Sequence, residues 1–186
     1  YGCTFWEYCS RDIIPHPSVF DLYRMSFKKA LEHMNEGRLT LENMREEKLT
    51  DTQQLQLECT LGDKTYINKD GIKEFLTQLS YPLYFLDFET EQTVIPKYQG
   101  THPYQQVTFQ YSLHYIEQEG GELKHTEFLG DGVTDPRRAL AEQLCHDIPM
   151  NVCTPAYNTA FECTRLKELA EAYPDLAPHL INIKEH

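Results

Sequence analysis

The order of apolar patterns along the chain predicts an α/β protein: a mixed sheet with helices packed against it, in the order β-β-β-α-β-α, preceded by a helical region. Three observations carry this. Apolar residues recur at helical spacing until about residue 80, switch to strand-like patterns from residue 81, and return to helical spacing after residue 135 on both sides of one short apolar segment. The boundary falls near Ser80, which separates a helical linker region (residues 1–80) from a sheet-bearing domain (residues 81–186).

In the first region, Phe20, Tyr23, Phe27, Ala30, Leu31 and Met34 fall on one helical stripe. Pro17 suits the first turn of that helix and Gly37 its end. The segment from Thr50 to Gly62 is a shorter helix with Leu55 and Cys59 four apart. A third helix follows, with Ile72, Phe75, Leu76 and Leu79 along one side. Then "YPLYFLDFE" is a near-continuous apolar strand, and "QQVTFQYSLHYIE" alternates as a half-buried strand does. "GGELKHTEFLG" is a third strand, entered through a Gly120–Gly121 hairpin turn. A helix begins at Asp135 and Pro136, with Leu140, Leu144, Cys145 and Ile148 on one side. "NVCTPAY" is a short fourth strand, and Asn158 caps the helix "TAFECTRLKELAEAY". "YPDLAPH" reads as a loop.

Composition narrows the function classes. No stretch approaches the roughly 18 apolar residues of a membrane helix, so no membrane partner is expected. The net charge is −12, and residues 81–186 hold 16 Asp and Glu against 7 Lys and Arg. A protein that grips duplex nucleic acid by releasing counterions displays a basic stripe, and this chain does not. Excess carboxylate suits divalent cations, or simply a solvated acidic surface. Six scattered cysteines point to reduced thiols and a cytoplasmic protein.

The first candidate site lies in "FLDFET". Residues two apart on a strand share a face, so Leu83, Phe85, Asp87 and Glu89 point one way and Tyr84, Leu86 and Phe88 the other. The face that begins as core is expected to end in two acids about 7 Å apart along the strand. Two unpaired carboxylates repel each other. They become favourable around a hard cation such as Mg²⁺, which takes oxygen ligands, and the alternative is an exposed strand end running into a loop. A third acid, Glu162, sits one turn into the last helix and shares its side with Leu166 and Leu169, facing the core. Phosphoryl-transfer enzymes hold two metal ions with such clusters.

"FLDFET" together with "YNTAFE" resembles the first two motifs of the DnaQ-like 3′–5′ exonucleases, the four-carboxylate (DEDD) branch of the ribonuclease-H-like fold. Asp87 and Glu89 match the first motif, and Asn158 and Phe161 match the second. Glu162 stands where the family has Asp, one methylene longer. The resemblance implies a ribonuclease-H-like domain, Mg²⁺ or Mn²⁺ held by Asp87, Glu89 and Glu162, and 3′–5′ phosphodiester hydrolysis on single-stranded DNA or RNA. Asn158 and Phe161 would support the helix that presents Glu162. The family's fourth carboxylate and water-orienting residue are expected beyond His186, so the chain reads as a fragment truncated at both ends, inactive by itself. The wider pattern, from "YPLYFLDFET" to "YNTAFE", resembles a bacterial family of unknown function within that superfamily, in which a RecB-like, cysteine-containing N-terminal region joins an exonuclease-like half. A catalytically inactive copy serving as a nucleic-acid or protein interaction module is the second reading.

The same resemblance makes Cys3 and Cys9 iron–sulfur ligands in a full-length chain; no cluster is expected in this fragment, and Cys59 reads as core. Tyr98, His102 and Tyr104, in the loop after the acidic strand, are either substrate contacts that stack bases or loop anchors. Arg137 and Arg138 are candidate phosphate contacts. The sequence leaves the oligomeric state open.

Overall fold

A computed structural model describes residues 3–186, which divide into two compact units on either side of the Lys69–Asp70 junction. Among the described residues there are seven α-helices and one three-stranded antiparallel sheet, a mixed α/β composition with a helical N-terminal unit.

In the first unit the expected long helix is broken. Ser18 accepts from the Phe20 amide and its own amide donates to Asp21, closing a capping box around a single 3-10 turn, Val19–Asp21. The helix begins again only after Ser26, whose hydroxyl accepts from the Lys29 amide, and α2 is Phe27–Asn35. Two strong caps eight residues apart outcompete the continuous stripe. Gly37 ends α2 with a φ of 78°, a conformation that costs glycine little. Before it lies α1 (Trp6–Ser10), and after it α3 (Asp51–Leu61) starts at a Thr50–Gln53 capping box. Val19, Phe20, Leu22, Met25, Leu41, Met44 and Leu57 form this unit's core, beside a cluster of Trp6, Phe20 and Phe27 rings.

The second unit opens with α4 (Lys69–Leu76), which buries nothing: Ile72, Phe75 and Leu76 are all exposed. The sheet follows as β1 (Leu83–Gln92), β2 (Gln106–Ile116) and β3 (Lys124–Leu129), paired in that order. The turn into β3 uses a positive φ at Gly120, as the Gly-Gly pair predicts. Tyr84, Leu86 and Phe88 of β1 and Tyr111 and Leu113 of β2 pack against Leu140 and Leu144 of α5 (Arg137–Asp147), Leu166 and Leu169 of α6 (Thr159–Ala172), and Leu180 and Ile183 of α7 (Ala177–Glu185). Burying each such side chain contributes about 1.5–3 kcal/mol.

Three expectations are corrected here. The core face of β1 is Tyr84, Leu86 and Phe88. Beyond Leu83, the face carrying Phe85, Asp87 and Glu89 is exposed. The alternation was right, but helices cover only one side of the sheet. Second, the fourth strand shrinks to one parallel bridge, Leu83 with Cys153. Tyr84 and Leu86 of β1 donate to the carbonyls of Cys153 and Pro155 at 2.9 and 3.3 Å. The return rung would need an N–H on Pro155 to reach the Tyr84 carbonyl, and proline has none. Third, the chain after Asp175 is a helix, α7, with proline in its first turn and Leu180 and Ile183 buried. Its nine residues are short for the periodicity to show. The order is therefore β-β-β-α-α-α with a parallel bridge.

The β1–β2 register skips Phe109 after Glu89 has paired with Gln110. This bulge shifts the alternation by one residue, which is why Thr108 is buried although unbroken alternation would put it on the same side as Gln110 and Ser112. No helix among the described residues is long and apolar enough to cross a membrane.

Candidate functional site

The structure brings the three predicted carboxylates together. Asp87 and Glu89 project from the open face of β1, with Phe88 between them turned into the core. Glu162, one turn into α6, is only 4% exposed, and its Oε2 accepts a hydrogen bond from the Phe88 backbone amide at 3.2 Å. It is thus held against the one residue that separates the other two acids. Burial pushes the Glu162 carboxyl up to about 7, reinforced by the negative charges of Asp87 and Glu89 and opposed by the Phe88 amide and by Arg165.

Asn158 stands at the N-terminal end of α6, but its side chain makes no capping bond. Its carbonyl accepts from the Phe161 and Glu162 amides, so its backbone rather than its amide group starts the helix. Phe161 is half-buried against the core and lies under the Arg165 guanidinium, 5.0 Å from its ring centre. Arg165, three residues after Glu162 on the same buried side, was not anticipated from sequence. It is 5% exposed, pairs through Nη2 with Glu168 at 2.9 Å, and keeps Nε and Nη1 buried without a hydrogen-bond partner. Its spacing from Glu162 and Leu166 was the available signal.

A cavity of about 650 Å³ opens beside Asp87 on the uncovered side of the sheet, lined by Phe75, Phe85, Ser112, His114 and Tyr157 among others. His114, Ser112 and Tyr157 are not among the site residues the sequence predicts. The register accounts for the grouping: Phe85 pairs with His114 and Asp87 with Ser112, so the four share one face of adjacent strands. His114 also packs on His125 of β3, ring centres 4.4 Å apart.

The loop after β1 does not join this cavity. Tyr98 donates to Glu91 and lines a separate cavity of about 260 Å³ with Lys97 and Phe109. His102 bonds within its own turn, and the Tyr104 amide and carbonyl tie back to Thr93 and Gln92. All three serve as loop anchors in this arrangement. Arg137 is held by Asp135, and Arg138 makes a bidentate pair with Asp175 at 2.8 and 2.7 Å plus a contact to Glu142. Cys3 and Cys9 are both exposed thiols, and Cys59 is half-buried.

In donor chemistry, Asp87, Glu89 and Glu162 fit Mg²⁺ or Mn²⁺: all are hard carboxylate oxygens. In arrangement they stop short of closure, since among the described residues no group of three or more His, Cys, Asp or Glu is set to hold a metal ion. One oxygen of the third acid is engaged with a backbone amide instead.

Comparison with curated proteins and with solved structures returns no match. A family model does match: residues 84–186, running from the second residue of β1 through α7 and including all three carboxylates, correspond to the family described as Domain of unknown function (DUF2779), and the chain belongs to that family.

Proposed function

We propose that the second unit is a metal-dependent phosphodiesterase domain of ribonuclease-H-like type, acting as a 3′–5′ exonuclease on single-stranded DNA or RNA. The observation that supports this most directly is the placement of Glu162. Residues 74 positions apart meet at one rung of β1, so that a buried acid is packed beside two exposed ones. Ionising all three carboxyl groups with so little compensating positive charge is costly unless a cation joins them. Asp87, Glu89 and Glu162 would hold Mg²⁺ or Mn²⁺, which when bound activates water and stabilises the leaving oxygen. Asp87 and Glu89 are on the open face, where a phosphodiester can reach them.

A second reading, the same fold without catalysis, is favoured by the incomplete convergence of the acids. Titration with Mn²⁺ separates the two. On the proposal, millimolar Mn²⁺ raises the melting temperature, and Asp87→Ala abolishes that shift. A wild-type protein whose melting point ignores Mn²⁺ leaves the non-catalytic reading standing.

A further inference from the structure

Beside Asp87 the open face of the sheet carries more exposed aromatic surface than a solvated wall needs. Tyr157 is fully exposed, Phe75 is 55% exposed and Phe85 38%, and all three border one cavity of about 650 Å³. That volume lies in the range of sites for small organic ligands. The rest of the lining is Leu86, Pro155 and Ala156 together with three polar groups: the Asp87 carboxylate, the Ser112 hydroxyl and the His114 ring. Among the described residues no Lys or Arg borders the cavity. Elsewhere in residues 81–186 six of the seven basic side chains are already ion-paired: Lys97, Lys124, Arg137, Arg138, Arg165 and Lys167. A ligand recognised here is therefore gripped by a flat apolar ring and a few hydrogen bonds, not by its negative charge.

We propose that this cavity is a nucleobase-binding cleft in which Phe75, Phe85 and Tyr157 stack the terminal base of a single strand, Ser112 and His114 hydrogen-bond its edge or sugar, and the adjoining phosphodiester is delivered to Asp87. This inference rests on the phosphodiesterase reading and adds to it the part of the strand that is recognised. It also gives α4 a function. Phe75 lies nine residues before the family-matched segment begins, in a helix that buries none of its own side chains, so the linker helix completes the cleft from outside the family domain. Base–aromatic stacking is tolerant of sequence because every base has a π face. The cleft accordingly selects for an unpaired end and not for a particular base.

The test measures binding alone, so it does not depend on hydrolysis. A short single-stranded oligonucleotide, and the same oligonucleotide with an abasic 3′-terminal residue, are titrated into the intact 186-residue chain by calorimetry without divalent metal. The expected result is that the abasic end binds at least about ten-fold more weakly. Phe75→Ala and Tyr157→Ala should each produce a similar loss for the normal oligonucleotide while leaving the melting temperature unchanged, since both side chains are exposed. Equal affinity for the two oligonucleotides, or no binding of either, overturns the cleft. So does a Phe75→Ala protein that binds as wild type does. Failure of the hydrolytic reading shows up separately, as an absence of any Mn²⁺ effect on melting with base-dependent binding intact.

Discussion

Burial and the charge of Asp87 hold a proton on Glu162 up to about pH 7, against an ordinary value of 4.5. The sign of the consequence follows from which state loses its proton first. Below about pH 4.5 the folded and unfolded chains both keep it, and Glu162 costs nothing. As pH rises, the unfolded chain ionises first, and stability falls until the folded chain ionises too, near pH 7. The full loss is on the order of 3 kcal/mol. Glu162→Gln keeps the shape and the bond from the Phe88 amide but cannot ionise. Urea denaturation at about pH 3.5 and about pH 8 should therefore show the variant gaining stability relative to wild type at the higher pH. An equal difference at both pH values contradicts this account of the site.

At the scale of elements, Pro155 decides how the sheet ends. Residues 153–155 run beside β1 and accept two of its hydrogen bonds, yet one missing N–H keeps them from forming a strand. Pro155→Ala restores the donor. The new bond contributes about 0.5–1.5 kcal/mol, while added freedom of the unfolded chain costs about 0.4–1 kcal/mol, so the stability change should stay within about 1 kcal/mol. The clear readout is hydrogen exchange. In that variant the new backbone amide at position 155 should be protected to the same degree as that of Tyr84, and rapid exchange there would show the rung is not made. The far side of the domain is tied more firmly. Asp147 at the end of α5 accepts from Tyr111 of β2 at 2.6 Å and from Thr126 of β3 at 3.3 Å. Burial alone would raise the Asp147 carboxyl, but these bonds, with those from His146 and Gln143, hold it below the ordinary range. That anchor fixes the covering helix on one face of the sheet and leaves Asp87 on the other.

For the second unit as a whole, charge sets how it meets a polyanion. With 16 acids against 7 basic residues from 81 onward, and six of the seven paired, there is little counterion release to gain from phosphate. A protein that neutralises Z phosphates of a single strand loses affinity with salt at a log–log slope of about −0.7Z. Single-stranded oligonucleotide binding here should show a slope shallower than about −1 between roughly 50 and 200 mM salt. A steep slope would mean that phosphates, not bases, carry the affinity.

Much of this was legible in the sequence. The switch from helical to strand pattern near residue 81, the three strands, α5 and α6, and the candidacy of Asp87, Glu89 and Glu162 all follow from side-chain periodicity, which is a local property of the chain. Local capping chemistry at Ser18 and Ser26 was equally available and overruled the longer stripe. What the chain order could not supply was which face of β1 is covered, because alternation defines two faces without saying where helices will pack. Nor could it place Arg165, His114 and Tyr157 near the acids, since those meetings depend on strand register, on the bulge at Phe109 and on the docking of α6 across a separation of 74 residues. Tertiary structure alone decided that Asp87 and Glu89 lie on the open, aromatic-lined face of the sheet while Glu162 reaches them from the buried side.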